Sequence, residues 1–514
     1  MTKLYDLLKS IDVLESWNKK NIDISGIAYH SKKVKSGDIF VCIKGFKTDG
    51  HRYILKAVAN GAVAIIVEDF QEGWDIPQFK VKDSRSALAA LSDKFYNYPS
   101  RFIKTIGITA TNGKTTTTFM TNHILESHNL NTGLIGTVKI KIGDFSEAAK
   151  LTTPESLDLH GYFSKMKKHN VSHVAMEVSS SALALSRVGN VDFDIVTLNN
   201  ISREHIDLHG SFEEYFDSKA SLIRNAKEGS WAILNLDCPY SSSLINETKA
   251  NVLTFGIENK SGDITCKNLD LSTGRARFTV EIKNTIKIDN IEYNPTEFDI
   301  ELSVPGYHSV YNSMVAISVA LLCGVPIPVI QKSTKTFSGV ERRFEFIFEN
   351  DFKIIDDHFA NAGNIDITMG TLQRMDYNNL KLVYAIRGSR GTTVNKENAE
   401  TIVKWAKKLG FTEIIATLSR SHVTDKDRVT KEELEVFQEV VTDAGIKVSL
   451  FKELSHAISK GISSVKKNDV LLLAGCQGMD YGAQIALNQL HKLRPDIDKD
   501  LLFKPLANRV AGIV

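Results

Sequence analysis

The segment Ile106-Gly107-Ile108-Thr109-Ala110-Thr111-Asn112-Gly113-Lys114-Thr115-Thr116 carries the strongest chemical signal in this chain. A β-branched run leads into it and a helix-forming run leads out, the setting a phosphate-binding loop needs. Amide N–H groups at a helix N-terminus point at an anion, and the helix dipole adds to the attraction. Lys114 is placed to offset β- and γ-phosphate charge, and the Thr115 hydroxyl to hold magnesium. Thr111, Asn112, Gly113 and Thr116 complete the candidate cradle. The general pattern asks for glycine six residues before the lysine; Ile108 stands there, and Gly107 lies one place earlier.

The elements that must position this loop alternate between short β-branched runs and helical stretches, the pattern of α/β layers. Asp38 to Ile43 and Val63 to Val67 read as buried strands, with a helix over Tyr53 to Gly61 between them. A break falls near Tyr98-Pro99-Ser100. Beyond it, strands are expected at Ile103 to Ile108, Val174 to Val178 and Asp194 to Leu198, with a helix from Thr115 to Ser127. Segment 250–305 alternates apolar and polar residues and reads as antiparallel strands, followed by a helix from Tyr311 to Leu322. A second break lies near Val325-Pro326-Ile327-Pro328. Strands at Phe352 to Ile355, Leu380 to Ala385, Glu413 to Ala416, Lys447 to Phe451 and Asp469 to Ala474 then describe another doubly wound unit. Three α/β domains are expected, over 1–98, 99–330 and 331–514.

Bulk composition removes several classes. Formal net charge is +2, which provides no basic field for nucleic acid. No stretch approaches the roughly 18 apolar residues of a membrane span, and the N-terminus lacks the apolar core of a signal peptide. Cys42, Cys238, Cys266, Cys323 and Cys476 form no CxxC pair and are odd in number, so neither a zinc site nor a disulfide framework is expected. A reducing cytoplasm is the expected compartment.

The loop resembles that of Mur ligases and folylpolyglutamate synthetases, whose usual form is Gly-Thr-Asn-Gly-Lys-Thr; Ala110 replaces the first glycine. Further segments resemble the same family in order: Met176-Glu177-Val178-Ser179-Ser180, Asn200-Ile201-Ser202-Arg203-Glu204-His205-Ile206-Asp207, and Phe216-Asp217-Ser218-Lys219-Ala220. The resemblance implies ATP and Mg2+ as cofactors. Glu177 and His205 become candidate magnesium ligands, and Lys219, once carbamylated, an anion for a second magnesium. Asn312, Arg343 and Asp357 sit where the family contacts ATP. Such an enzyme transfers the γ-phosphoryl group to a carboxylate, and an amine attacks the acyl phosphate. Taken singly, Glu177 reads as a capping carboxylate, His205 as a surface histidine and Lys219 as a solvated lysine. The ordered context reverses those readings.

The stretch from Gly26 to His51 resembles the UDP-binding domain of UDP-N-acetylmuramyl tripeptide synthetases, the MurE type, and folylpolyglutamate synthetases lack it. The resemblance implies a small N-terminal UDP-binding domain, a central ATPase domain and a C-terminal Rossmann-like domain. Ser31, Thr152, Thr153, Ser179 and Arg187 become candidate contacts to the UDP-linked muramyl peptide. His30 and Ser181 depart from the residues usual at their positions.

The amino-acid pocket departs further. Arg390 aligns with a carboxylate-gripping arginine, but Ser419-Arg420-Ser421-His422 replaces the Asp-Asn-Pro-Arg of the diaminopimelate-adding enzymes. Gly475 to Asp480 replaces a second motif, and His358-Phe359-Ala360-Asn361 replaces Tyr-Ala-His-Thr. Arg390, Arg420, His422 and Asp480 are the candidate pocket groups, and diaminopimelate is disfavoured. The expected protein is a monomeric ligase joining a free amino acid to a UDP-linked muramyl peptide in peptidoglycan precursor synthesis. Two alternatives are an amide ligase of specialised metabolism and a nucleotide-binding regulator without catalysis.

Overall fold

A computed structural model describes residues 2–45, 48–202, 209–272, 274–288, 290–507 and 509. It divides into two compact units. One runs through Ile264 and takes in Val315–Val325; the other holds Thr265–Met314 and the chain from Pro326 onward. Among the described residues no helix is long and apolar enough to cross a membrane.

The first unit opens with a five-stranded sheet. Its strands are β1 (Glu15–Trp17), β2 (Gly26–Ala28), β3 (Asp38–Val41), β4 (Ala62–Val67) and β5 (Gln78–Lys80), in the order β1-β5-β4-β3-β2. All pairs are parallel except β1 with β5. Successive residues point to opposite faces. Ile39, Val41, Ala64 and Ile66 therefore pack with Leu88 and Leu91 of helix α1 (Ser84–Phe95), while Phe40, Ile65 and Val67 pack with Ile54 and Ala57. A sheet covered on both faces needs continuous apolar strands, which is how β3 and β4 read.

The nucleotide loop belongs to a larger parallel sheet in the same unit. It contains β6 (Lys104–Thr109), β7 (Thr132–Ile135), β8 (Lys139–Ile142), β9 (Phe145–Ala148), β10 (His173–Glu177), β11 (Ile195–Leu198), β12 (Trp231–Asn235) and β13 (Asn251–Gly256). Their order is β9-β8-β7-β10-β6-β11-β12-β13. Six strands run parallel, and β8 and β9 form an antiparallel edge. Helices α2 (Lys114–Ser127), α3 (Ser156–Lys168), α4 (Ser180–Ala184) and α5 (Phe212–Arg224) connect them. Phe163, Met176, Val196 and Leu234 are fully buried in the core of this layer; each such side chain contributes about 1.5–3 kcal/mol. Sequence alternation made the stretch from residue 250 antiparallel throughout, yet β13 pairs parallel with β12. Alternation reports which face is buried, whereas the preceding connection sets strand direction.

Further along the chain, β14 (Ile264–Asp270), β15 (Arg275–Ile282) and β16 (Thr296–Pro305) are neighbours, with β15 and β16 antiparallel, and helix α6 (Tyr307–Leu322), divided between the units, follows. A six-stranded sheet is built from β17 (Glu345–Glu349), β18 (Lys353–Asp357), β19 (Leu380–Ala385), β20 (Glu413–Thr417), β21 (Lys447–Phe451) and β22 (Val470–Gly475). Its order is β17-β18-β22-β19-β20-β21, parallel apart from β17. Helices α7 (Ala362–Leu372), α8 (Thr392–Leu409), α9 (Lys431–Asp443), α10 (Leu454–Ser464) and α11 (Gly482–Leu493) alternate with the strands. The return of β22 between β18 and β19 makes a topological switch point, and ligands of such sheets bind beyond the C-terminal strand ends.

Candidate active site

Strand β6 delivers the chain to a loop at the C-terminal edge of the parallel sheet. Gly113 ends that loop with φ +90° as the N-cap of α2, a conformation open to glycine at no steric cost. Thr115 and Thr116 lie in the first turn of α2, so their N–H groups belong to the helix N-terminus. The Lys114 ammonium reaches back over the loop, donating to the Ala110 carbonyl at 2.9 Å and the Thr111 carbonyl at 3.0 Å. A neighbouring loop holds this one in register. The Thr111 N–H donates to the Asn200 carbonyl at 2.9 Å, and Asn200 brackets Asn112 with side-chain bonds of 3.0 and 2.9 Å.

Glu177, at the end of β10, is the hub. Its carboxylate is fully buried. The Thr115 hydroxyl donates to one oxygen at 2.9 Å, and the Thr137 N–H donates to the other at 2.7 Å. The Thr137 hydroxyl adds a bond at 3.1 Å and touches the Thr152 hydroxyl at 3.1 Å. Thr115 and Glu177 offer adjacent hard oxygen donors, a hydroxyl and a carboxylate, and that chemistry fits magnesium. Among the described residues no cluster of three or more His, Cys, Asp or Glu forms a metal site. The expected ligand His205 lies outside the described residues.

Helix α5 presents Tyr215 and Lys219 one turn apart on one face. Lys219 is 1% exposed, and its Nζ donates to the Ala110 carbonyl at 2.8 Å and lies 3.4 Å from the Thr109 hydroxyl. The Tyr215 hydroxyl meets the Thr111 hydroxyl at 2.9 Å. Thus the structure brings Thr111, Asn112, Gly113, Lys114, Thr115, Glu177 and Lys219 together around one loop. Sequence reading missed Thr137, since a single threonine after a strand carries no mark of function.

Thr152, Thr153, Ser179 and Arg187, four of the candidate substrate contacts, lie around this hub. The Thr153 hydroxyl donates to the Glu177 carbonyl at 2.8 Å and lies 3.4 Å from the Ser179 hydroxyl. Ser179 caps α4, accepting from the Ala182 N–H at 3.2 Å. Arg187 pairs with Glu155 at 3.0 Å and donates to the Thr153 carbonyl at 3.3 Å. Ser31 is buried at the start of a short 3-10 turn. His30, the departure noted in the sequence, caps that turn by accepting the Lys32 N–H at 3.2 Å.

The remaining candidates lie in the second unit. Asn312 is buried on α6. Asp357 ends β18, accepting the Phe344 N–H at 2.8 Å and a short bond from the Thr368 hydroxyl. Burial raises its carboxyl, and those two bonds oppose the rise. Arg343 donates to the Arg342 carbonyl at 3.2 Å. Arg390, Arg420, His422 and Asp480 all follow the C-terminal ends of β19, β20 and β22. His422 packs against Tyr481 with ring centroids 5.2 Å apart. Asp480 pairs closely with Arg342, which also donates to the Gly475 and Cys476 carbonyls and pairs with Asp356 at 3.4 Å. Burial pushes the Asp480 carboxyl up to about 6, against the pull of Arg342. Arg342 was not foreseen; its neighbour Arg343 was the expected residue.

A phosphate loop on a doubly wound sheet, with a buried carboxylate beside its threonine, defines a nucleotide-binding α/β enzyme. Residues 108–320 match the Mur ligase middle domain, and residues 23–96 match the Mur ligase family catalytic domain. A UDP-N-acetylmuramoyl-L-alanyl-D-glutamate--2,6-diaminopimelate ligase of Caldanaerobacter subterraneus subsp. tengcongensis is 35% identical over 475 residues, 92% of this chain and 93% of that one. The enzyme of the same name from Clostridium botulinum is 34% identical, covering 92% and 94%. A solved structure bearing that name superposes with a TM-score of 0.67 at 20% identity, covering 95% of this chain and 99% of that one. The MurF ligase of Thermotoga maritima in complex with ADP gives 0.61 at 21% identity, covering 91% and 98%. The chain belongs to the Mur ligase family.

Proposed function

We propose that this protein is an ATP-dependent ligase that adds an amino acid to a UDP-N-acetylmuramyl peptide in peptidoglycan precursor synthesis. The observation that carries this reading is the buried contact between Thr115 and Glu177, 2.9 Å apart beside the Lys114 loop. The pair supports binding of the magnesium complex of ATP at this loop, the first requirement of such a ligase.

The chemistry follows from the residues. The loop N–H groups and Lys114 hold the β- and γ-phosphates. Magnesium, held by Thr115 and Glu177, would offset charge on the terminal phosphate oxygens. The substrate carboxylate, steered by Thr152, Thr153, Ser179 and Arg187, attacks the γ-phosphorus, and ADP leaves with the bridging oxygen. The amino-acid amine then attacks the acyl carbon, phosphate departs and an amide remains. Lys219, buried against the Ala110 carbonyl, stands at the loop floor where a carbamylated side chain would add an anionic oxygen pair. His205 completes the proposed metal set. Asn312, Arg343 and Asp357 are proposed ATP contacts, Ser31 a uridine-diphosphate contact, and the protein is taken to act as a cytoplasmic monomer of three domains.

The incoming amino acid is proposed to differ from the 2,6-diaminopimelate in the relatives' names. Ser419-Arg420-Ser421-His422 stands where the family resemblance implies Asp-Asn-Pro-Arg in diaminopimelate-adding enzymes. Asp480 is already engaged by Arg342. Incubation with UDP-N-acetylmuramyl dipeptide, ATP, Mg2+ and an amino-acid pool, read by mass, tests both parts. A product lighter or heavier than the diaminopimelate adduct is expected. A diaminopimelate adduct alone overturns the acceptor proposal, and phosphate release without any adduct overturns the ligase.

A further inference from the structure

Glu433 occupies the third position of helix α9, where the sequence Thr430-Lys431-Glu432-Glu433 forms a capping box. That motif accounts for one backbone bond to its carboxylate, from the Thr430 N–H at 2.9 Å. Three more donors reach the same carboxylate from a distant loop. The Ser389 N–H donates at 3.0 Å, the Arg390 N–H at 2.7 Å and the Gly391 N–H at 2.7 Å. Helix capping explains none of these three.

The loop they hold has a conformation that needs holding. Ser389 lies at φ +54°, in the left-handed region that a residue with a side chain enters at a cost. A Cβ on Gly388 would stand 2.1 Å from the Asp427 carbonyl, so the two loops are in close backbone contact there. The Ser389 hydroxyl donates to the Arg428 carbonyl at 3.0 Å, and the Arg390 guanidinium meets Asp427 at 3.4 Å. The loops after β19 and β20 are thereby joined at the strand ends where this class of sheet binds ligands.

We infer that Glu433 is the positioning residue of the amino-acid site, fixing the backbone of Ser389–Gly391 so that Arg390 meets the incoming carboxylate. This rests on the reading of Arg390 as the carboxylate clamp. Glu433 is 2% exposed. Burial alone would raise its carboxyl, but the N–H groups of Thr430, Gly391, Ser389 and Arg390 together hold it below the ordinary carboxylate range. It therefore stays an acceptor-only anion at neutral pH. A glutamine at this position keeps one acceptor oxygen but turns an NH2 group toward backbone donors, so the grip on the loop is halved while size is kept.

The test is steady-state kinetics on the full chain, varying 2,6-diaminopimelate, L-lysine and L-ornithine as acceptors and using whichever is incorporated. Glu433→Gln is expected to raise the acceptor KM about tenfold or more, with kcat at saturation within twofold and the KM for ATP unchanged. The double variant Glu433→Gln/Arg390→Ala should have the acceptor KM of Arg390→Ala alone. If Glu433→Gln fails to fold, Glu433→Asp, which keeps the charge and shortens the reach, should show the same selective rise. An unchanged acceptor KM in the Glu433 variants beside a raised one in Arg390→Ala overturns the inference alone. An acceptor KM unchanged in Arg390→Ala overturns the clamp, and the inference with it. A uniform loss in kcat and every KM assigns Glu433 to fold maintenance and overturns positioning.

Discussion

The phosphate side and the acceptor side of this enzyme hold their polar groups in opposite ways. Around the loop, Glu177 and Lys219 are 0% and 1% exposed, and their hydrogen bonds run to backbone and hydroxyl groups of the same core. At the proposed acceptor site, Arg390 and Arg420 are exposed and His422 is half-buried. The groups that hold neighbouring loop positions are buried: Glu433 beneath the Arg390 backbone and Arg342 beside Asp480. Interactions between charged groups are strongest where water is excluded, so groups proposed for phosphoryl transfer would gain from depth. The proposed acceptor residues sit on loops beyond strand ends, where residues change without disturbing the sheet. The departures from the family pattern at Ser419–His422 and the retained Gly-Lys-Thr-Thr loop fit that division.

The sharpest way to break the comparison is at the loop. Lys114→Ala should lower ligation at least about 100- to 1000-fold, the order seen when one charge-stabilising donor is lost, with an unchanged circular-dichroism spectrum. Normal turnover in that variant would remove the phosphate-side reading. Glu177→Gln should follow with a smaller loss and a higher Mg2+ concentration for half-maximal rate; an unaltered Mg2+ titration would separate Glu177 from the metal. On the other side, Arg390→Ala removes a charged hydrogen-bonding partner worth about 1.5–3 kcal/mol. Its acceptor KM should rise about 10- to 100-fold with the KM for ATP untouched. A shift in the KM for ATP instead would show that the two sides are not separable.

The smallest effect concerns pH. Glu433 has its carboxyl held below the ordinary value, so its stabilisation is complete above about pH 4.3, the unfolded value. It is lost as pH falls through the lower folded value. The melting-temperature gap between the native protein and Glu433→Gln should stay constant from pH 8 to about 5 and narrow below about 4. A gap that widens toward acid would reverse the assigned direction.

The parts of the site differ in how readable they are. Lys114 and Thr115 stand in one segment with their strand and helix, so the loop was legible directly. Glu177 and Lys219 gained meaning only from the order of surrounding motifs, because a single glutamate or lysine is ordinarily a solvated group. Thr137 was invisible, though it holds the Glu177 carboxylate with two bonds. Arg342 was passed over for Arg343, since adjacent arginines look alike until the backbone decides which one is buried; Arg342 is 4% exposed. Glu433 shows its capping box in sequence, but its three further donors lie 42 to 44 residues away.

By itself the sequence determined the alternation of strands and helices and the strand–loop–helix setting of Lys114, because these depend on periodicity and on residues close along the chain. Only the tertiary structure decided that β13 runs parallel, that Thr137 braces Glu177 and that Glu433 grips the Arg390 loop. Strand direction and hydrogen-bond pairing between distant segments depend on three-dimensional proximity, and no local pattern of side chains encodes it.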